Sequence, residues 1–396
     1  MLQIDVIDNE EELSQIAEEW SDLLSKSHNN AIFLTFEWLS TWWKYFKNNK
    51  ELRVLTARDE DRKIIGIAPL VFYEYKFLPI LSLKIGEFIG SVHSDYLDFI
   101  ILKGKEDNVL DAFFVYLIEN NNEWDVLNFI DLPEESTTLQ YIKSSKKLTG
   151  LRFRNWVKSI CPYITLPEKW DDYLSSLSKK RRKKLQYYLR RLKKEYFFQF
   201  GIASEKDNVC EKTNKFFSLH QSRWREKGAL GDFADYKFAQ FHKDIISKFI
   251  KKDWLKLYYL SLNGNIVSML YAFNYNQKIC YYQSGFEPEY SKYSLGTVTI
   301  GCCIENAIAE GTKEFNFLRG DESYKYDWGA NQARRNIHCQ IFNQSLKARL
   351  YYHSTITGIW LKSIIKVILP RAVLNVVIKF YRGVRRFAAL SSRKKK

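Results

Sequence analysis

Short apolar runs separated by polar turns predict an α/β unit in the first half of the chain. Residues 52–58 alternate between apolar and polar positions, residues 64–73 form a longer apolar run, and the acidic turn 59–61 separates them. Runs of this length, bounded by turn residues, are typical of β-strands. Further strands are predicted at 94–102 and 124–130, and helices, from a 3.6-residue spacing of apolar positions, at 20–24, 36–46 and 106–120.

The same order of elements recurs in the second half. Strands are predicted at 255–262, 265–273, 278–285 and 313–318, and helices at 212–227, 236–251 and 296–310. Asn263-Gly264 is a strong hairpin signal, and Gly311 is a typical helix C-cap. A duplicated unit of helices, antiparallel meander, helix and strand is the simplest account, so the predicted fold class is α/β with two tandem domains.

The length and composition agree with two folded domains. A chain of 396 residues exceeds the usual size of one core, and 46% apolar with 27% charged residues excludes general disorder. We predict an N-terminal domain at 1–157, a C-terminal domain at 158–345 and a basic helical tail at 346–396.

The positive charge is concentrated in two segments. The net charge is +15, which favours anionic partners. Residues 178–194 hold ten basic residues and residues 346–396 hold thirteen, and neither segment contains a carboxylate. Together they exceed the net charge, so the remainder of the chain is acidic overall.

The segment 178–194 has the pattern of an amphipathic helix. Ser178 can cap it, and Leu185, Leu189 and Leu192 lie on one face. Six consecutive cations at 179–184 repel one another, so we expect the phosphates of a nucleotide-linked donor, of tRNA or of a lipid to bind there. The alternative is a solvated charged face.

The tail has the pattern of an interfacial helix. Residues 359–369 and 373–382 are apolar with cations at intervals, and Pro370 separates them. Such segments bind anionic membrane surfaces. Packing against the body or a second copy, and RNA binding, are the alternatives; the oligomeric state is not predicted.

Cysteines, histidines and the N-terminus indicate the compartment. The six cysteines form no CxxC pair, and the six histidines have no metal-binding spacing, so reduced thiols and no metal site are expected. The acidic start lacks a secretory signal, and no run of 18 apolar residues is free of charge. We predict a cytoplasmic protein that is peripheral on the inner face of the membrane.

The segment 281–297 runs from a strand into a helix start. Ser294 and Gly296 permit close backbone approach there, and the free N–H groups of Leu295, Gly296 and Thr297 can bind a pyrophosphate. Ser294 to Thr297 are therefore predicted to contact the donor.

The run 315–330, Phe-Asn-Phe-Leu-Arg-Gly-Asp-Glu-Ser-Tyr-Lys-Tyr-Asp-Trp-Gly-Ala, resembles the closing signature of GNAT-like acyltransferases of the BioF2-like/CelD family. The segments 65–70, 94–99, 178–194 and 220–228 are also similar to that family's pattern. The resemblance, which covers residues 30 to 345, implies two GNAT folds in one chain, as in the FemABX peptidyltransferases. It also implies acyl transfer from a thioester, chiefly acetyl-CoA, to an amine or hydroxyl in envelope or polysaccharide biosynthesis.

Acyl transfer needs a polarised carbonyl, a base for the acceptor and a proton for the thiolate. The backbone of Gln283, Ser284 and Gly285 is predicted to supply the polarisation. Asp321 is the first candidate base because it follows a strand end, with Glu287 and His220 as alternatives; a salt bridge is the other interpretation of Asp321. Tyr324 is the candidate proton donor, or a packing residue.

Five residues are candidates for binding the substrate. Lys325 resembles the FemABX lysine that faces a substrate phosphate; the alternative is a surface cation. Arg223 and Trp224 are expected to form a cation-stacked platform, either structural or under the acceptor. Arg319 and Trp328 are placed with them, although Trp328 also suits a packing role. His220 is the residue that orients Arg223 if it is not a base.

Three functions remain open from the sequence. The leading hypothesis is an acyl-CoA-dependent acyltransferase acting on an envelope sugar or its nucleotide- or lipid-linked precursor, with the acyl-CoA as donor substrate and no tightly bound cofactor. The second is a FemABX-like aminoacyl transferase that uses charged tRNA, which the basic helix suits. The third is a non-catalytic, membrane-associated scaffold.

Overall fold

A computed structural model describes residues 2–78, 81–205, 208–226 and 228–356. The strands are β1 (Gln3–Ile7), β2 (Glu51–Arg58), β3 (Ile64–Leu78), β4 (Leu81–Phe88), β5 (Ile100–Ile101), β6 (Val126–Pro133), β7 (Arg152–Thr165), β8 (Phe198–Ile202), β9 (Leu255–Leu262), β10 (Asn265–Tyr275), β11 (Lys278–Phe286), β12 (Glu314–Asn316) and β13 (Gln332–Phe342). The helices are α1 (Glu10–Gln15), α2 (Ala17–Ser25), α3 (Phe36–Phe46), α4 (Glu106–Glu119), α5 (Thr137–Ser144), α6 (Trp170–Ser176), α7 (Lys179–Glu195), α8 (Val209–Glu226), α9 (Tyr236–Ile250), α10 (Leu295–Ala309) and α11 (Ser323–Asp327).

The strands form one sheet with an internal repeat. Strands β1 to β4 are antiparallel neighbours, and β4 then pairs with β6 in parallel. Strands β8 to β11 are likewise antiparallel neighbours, and β11 pairs with β12 in parallel. The predicted tandem α/β fold is therefore confirmed.

The two halves exchange their last strands. Strand β7 follows β6 along the chain but pairs with β12, whereas β13, the last strand of the described residues, pairs with β6. Strands β7 and β13 also pair with each other, from Gln332–Tyr163 to Phe342–Arg152. The exchange joins both halves into one continuous sheet.

The connections between helices repeat as well. A short 3₁₀ turn, Ile32–Leu34, precedes α3, and its equivalent, Asp232–Ala234, precedes α9. The next residue caps the helix in both cases: Thr35 accepts from the Trp38 amide, and Asp235 accepts from the Phe238 amide. Each of these two connections lines a cavity between the halves.

Buried aromatic side chains hold the halves together on one face of the sheet. Trp38 of α3 meets Phe241 of α9 edge to face, with 5.0 Å between ring centroids. On the other face, Leu192 of α7 packs in one cluster with Leu295 and Val298 of α10.

The predicted strand 94–102 is wrong except at β5. Residues 89–99 instead form a connection in which Asp95 and Asp98 are buried polar anchors. Strand β4, which the sequence patterns did not predict, takes the third place in the first meander. Strands β1, β7, β8 and β13 were also not predicted.

The tail is described only at its beginning. Residues 346–356 are helical, and Tyr351 and Tyr352 pack against Phe342 with Ala348 in the same cluster. The two apolar segments predicted to bind a membrane lie outside the described residues. Within residues 2–356, apart from the short gaps, no helix is long and apolar enough to cross a membrane.

Candidate active site

The sheet of the second half opens where β11 and β12 part. Their parallel pairing ends at Cys280 and Asn316. Beyond that point β11 stays with β10, whereas the Phe317 amide bonds to the Pro162 carbonyl of β7. The polypeptide from Tyr281 onward and the segment after β12 therefore diverge and leave a wedge between them.

A cleft of about 1090 Å³ lies at this wedge, between the two halves. The second half contributes the end of α8, the α8–α9 connection, β11 and the segment after β12. The first half contributes Phe46 and Asn48 near the end of α3, and Val92, His93 and Asp95 from the β4–β5 connection. A ligand in this cleft would touch both halves.

A chain of hydroxyl groups lines the wedge. Arg223 Nη1 donates to Ser284 Oγ at 3.0 Å, and Ser284 Oγ lies 2.6 Å from Tyr281 Oη. Tyr281 in turn hydrogen-bonds to Tyr324, and burial raises the pKa of Tyr324 far above its usual value. The Tyr324 phenol therefore keeps its proton at neutral pH and can act as a donor.

Asp232 is a cleft residue that the sequence did not single out. It lies in the α8–α9 connection, where Gln283 Nε2 donates to its Oδ2 at 3.3 Å. Desolvation raises the pKa of this carboxyl. A carboxylate whose pKa moves toward neutrality is better suited to accept a proton. The connection carries no motif that would have revealed it.

Lys325 lies in the cleft lining but is held by the protein. Its ammonium donates to the carbonyls of Leu318, Arg319 and Gly320 at 3.2, 2.9 and 3.0 Å, and Glu322 Oε2 lies 3.0 Å away. The side chain is 3% exposed. In this arrangement it fixes the turn at residues 318–320, where Leu318 and Gly320 both have positive φ.

Arg319 joins the halves at the same place. Its Nε lies 3.0 Å from Asp95 Oδ1, and its Nη2 lies 3.5 Å from Asp131 Oδ2. The two carboxylates raise the pKa of Arg319 above its already high value. Arg319 therefore belongs to the cleft wall and is paired.

Arg223, Trp224, Gln283, Ser284 and Tyr324, which were predicted from the sequence, are brought together in the cleft. The other predicted residues, apart from Arg319 and Lys325, lie outside its lining. Asp321 is exposed and accepts a hydrogen bond from Tyr326, and Glu287 pairs with Lys215 at 3.1 Å. Trp328 is fully buried under the Arg181 guanidinium, 4.1 Å from its ring centroid.

His220 also lies outside the cleft lining. Its Nε2 accepts from Trp224 Nε1 at 3.0 Å, which places the imidazole proton on Nδ1. Burial lowers the pKa of His220 to about 4. The histidine thus positions Trp224, and its basic nitrogen is occupied. Gly285 packs against it, because a Cβ there would lie 2.3 Å from the His220 amide nitrogen.

The basic helix α7 lies beside the start of α10. Leu192 packs with Leu295, and the Arg191 guanidinium lies 4.7 Å from the ring centroid of Tyr293, just before α10. Ser294, in the left-handed region at φ 52°, precedes the first turn of α10, which contains Gly296 and Thr297. The two elements predicted to bind phosphate are thus neighbours.

Comparison with known proteins defines the class. Residues 179–326 match the family model described as an acetyltransferase (GNAT) domain. No curated protein sequence matches the chain. The match lies in the second half of the chain, which therefore carries a GNAT-type domain.

Solved structures define the arrangement within that class. FemX has a TM-score of 0.60 at 12% identity, covering 88% of this chain and 99% of its own. A conserved protein of unknown function from Bacteroides thetaiotaomicron VPI-5482 has a TM-score of 0.55 at 10% sequence identity, and the match covers 86% of this chain and 100% of that protein. L-PGS from Bacillus licheniformis has a TM-score of 0.50 at 13% sequence identity, and the match covers 84% of this chain and 94% of L-PGS. The chain consists of two GNAT-like folds in tandem, in the FemABX-related arrangement.

Proposed function

We propose that the protein transfers an acyl group, acetyl in the simplest case, from acyl-CoA to an amine or hydroxyl of an envelope sugar or its precursor. The observation that carries this proposal is the wedge between β11 and β12, which opens into a cleft lined by both halves. A donor in the wedge would meet an acceptor in the cleft. Such positioning is a principal source of rate in group transfer.

The residues around α10 suit the donor's phosphates. Leu295 and Gly296 lie in the first turn of α10, where helix amide groups are free to bind anions. Seven cations of α7 are exposed at residues 179, 180, 183, 184, 190, 193 and 194. These residues would hold the pyrophosphate end of acyl-CoA, whose thioester supplies the acyl group.

The cleft residues suit the chemistry. We assign Asp232 as the group that takes the acceptor's proton, because it faces the cleft and desolvation raises the pKa of its carboxyl. Tyr324 would give its proton to the departing thiolate, since its phenol stays protonated. Asp232 thus replaces Asp321 as the candidate base.

A second candidate function is aminoacyl transfer from charged tRNA. The observation that favours it is the exposed cationic face of α7, which suits a nucleic-acid backbone. Under this proposal the wedge would accept the aminoacyl ester and the cleft would bind the same acceptor.

Titration calorimetry separates these functions. Saturable binding of CoA and acetyl-CoA supports the first proposal, and binding of charged tRNA alone supports the second. If neither donor binds, both proposals are contradicted and the non-catalytic scaffold is favoured. The variant K183E/K184E should weaken the binding of either donor, because both lysines are exposed on α7. The variant K103E/K105E, on the first half, makes the same charge change as a control and should bind normally.

A further inference from the structure

A second cavity lies between the halves, away from the residues of the proposed active site. Its volume is about 190 Å³. Its walls are the α2–α3 connection, the segment after β6, and the turn between β10 and β11. None of its lining residues lines the larger cleft.

This cavity is the counterpart of the larger cleft under the internal repeat. The larger cleft is lined by the α8–α9 connection and the segment after β12. The smaller cavity is lined by the equivalent elements of the first half, the α2–α3 connection and the segment after β6, together with residues of the second half. The internal repeat thus relates these two cavities, which differ in size.

Amide and hydroxyl groups dominate the polar part of the cavity wall. Tyr275 Oη donates to Asn30 Oδ1 at 2.7 Å, and Tyr96 Oη lies within 3.2 Å of Asn316. Asn276 adds a further amide from the β10–β11 turn. Amides and phenols both donate and accept hydrogen bonds, which is what a ligand rich in hydroxyl groups requires.

Asp98 is the buried polar anchor of the cavity. It is 3% exposed, accepts from the Phe99 amide at 2.8 Å, and is hydrogen-bonded by Ser136 and Asn29. Burial raises the pKa of its carboxyl to about 6. The group can thus meet a ligand hydroxyl with either a carboxylate or a carboxylic acid.

The charges of the wall disfavour an anion. The Arg334 guanidinium is held by both oxygens of Glu314, at 2.7 and 2.8 Å, and stacks on Tyr163. Its charge is therefore neutralised within the protein. Besides Asp98, Glu106 and Glu135 line the cavity, and Glu135 Oε1 lies 3.8 Å from Arg334 Nε. The lining also includes the cation Lys278. A phosphate or carboxylate would meet three carboxyl groups against Lys278, so the wall as a whole disfavours an anion.

We propose that this cavity binds a single sugar ring without a negative charge. The volume is smaller than the roughly 300–1,000 Å³ of pockets for drug-sized ligands, so one ring is the appropriate size. Phe33 and Phe99 supply apolar surface beside the amides and hydroxyls. The inference is independent of the acyl transfer proposed for the larger cleft.

Saturation-transfer NMR with the full chain tests the site. The probes are glucose, N-acetylglucosamine, glucosamine and inorganic phosphate. The variant N276G removes one amide of the wall, and Gly suits the backbone there because Asn276 has φ 50°. The matched control is Q277G, in the same turn at φ 57° but outside the cavity wall.

At least one of the three sugars should bind saturably to the wild type, and N276G should weaken it by about fivefold, as expected for one lost hydrogen bond. Q277G should bind as the wild type does. Absence of binding by every sugar overturns the proposal, as does unchanged binding by N276G, which would place the sugar elsewhere. Phosphate that competes with the sugar would also overturn it.

Discussion

The side chain of Arg319 in the second half binds the carboxylate of Asp95 in the first half, with 3.0 Å between Nε and Oδ1. The Arg319 amide also bonds to Asp95 Oδ2, at 3.3 Å. Arg319 follows β12 and Asp95 lies in the β4–β5 connection, so this pair joins the two walls of the cleft. The width of the cleft therefore depends on it.

Replacing Arg319 by Met should destabilise the fold strongly. The substitution keeps the length of the side chain but removes the cation from Asp95, whose side chain is 3% exposed. Asp131 keeps a second cation, because Lys158 Nζ lies 3.1 Å from its Oδ2. Breaking a buried pair in this way costs about 3 kcal/mol. Urea unfolding measures the change. The variant R335M is the control, since Arg335 forms an exposed pair with Glu134, and it should change the free energy of unfolding by less than about 1 kcal/mol.

Replacing Asp232 by Asn should lower kcat by about a hundredfold or more, as is typical when a general base is lost. KM for the acceptor should change little, because the amide keeps the size of the side chain. Steady-state kinetics with the acceptor identified by screening measures both. The variant D321N provides the comparison, because Asp321 lies outside the cleft lining. If kcat falls more in D321N than in D232N, Asp321 and not Asp232 is the base.

Replacing Tyr324 by Phe should slow the release of the thiolate. The ring still packs against Phe317, but the proton donor is lost. We expect kcat to fall by about ten- to a hundredfold with unchanged CoA affinity. A thioester with a better leaving group should restore part of the rate. Y326F is the control, since Tyr326 bonds to Asp321 outside the cleft; equal losses in both variants would argue against the assignment.

The sequence predicted the tandem fold because the hydrophobic pattern of each meander is local. It did not predict β7 and β13, whose pairing partners are set by the exchange between halves. The predicted strand 94–102 failed because the buried Asp95 binds Arg319, more than 200 residues away in sequence. The local pattern of apolar and polar residues carries no information about a contact between such distant residues.

The candidate site was only partly predictable for the same reason. The resemblance at 315–330 located Arg319, Tyr324 and Lys325, but it could not tell which of them are held by protein groups. Lys325 is held by three backbone carbonyls of its own turn. Asp232 could be recognised only when the α8–α9 connection was seen to face Gln283.

Replacing Gly285 by Ala should destabilise the contact between α8 and β11. The new Cβ would lie 2.3 Å from the His220 amide nitrogen and 2.5 Å from the Leu219 carbonyl carbon, so the helix must move. Overpacking of this kind costs about 1–3 kcal/mol. Thermal unfolding measures it. Gly296→Ala is the matched change, because its Cβ would meet only Phe286 at 3.7 Å, and helix propensity predicts equal or higher stability.

The stability of the fold should fall as the pH is lowered from 7 to 5. His220 and His242 are both fully buried, and burial lowers the pKa of His220 to about 4 and that of His242 well below its usual value. The unfolded chain takes up these protons first, near pH 6.5. Above that pH the buried neutral imidazoles cost the fold nothing. Below it, the free energy of unfolding falls by up to about 1.4 kcal/mol per pH unit for each histidine.

Burial raises the pKa of Asp98 to about 6, and this works in the opposite direction, because the folded state then binds the proton more readily. Burial also lowers the pKa of His93 to about 4 and that of His338 to about 3, and it raises the pKa values of Asp95, Asp232 and Glu305. All four histidines titrate near pH 6.5 in the unfolded chain, so we expect them to outweigh the carboxyls and the net slope to remain positive with pH. Urea unfolding at pH 5, 6 and 7 measures it. The variant H220Q, whose amide oxygen can still accept from Trp224, should flatten the slope by the share of one histidine. An unchanged slope in H220Q would show that His220 is already protonated in the folded state at pH 5.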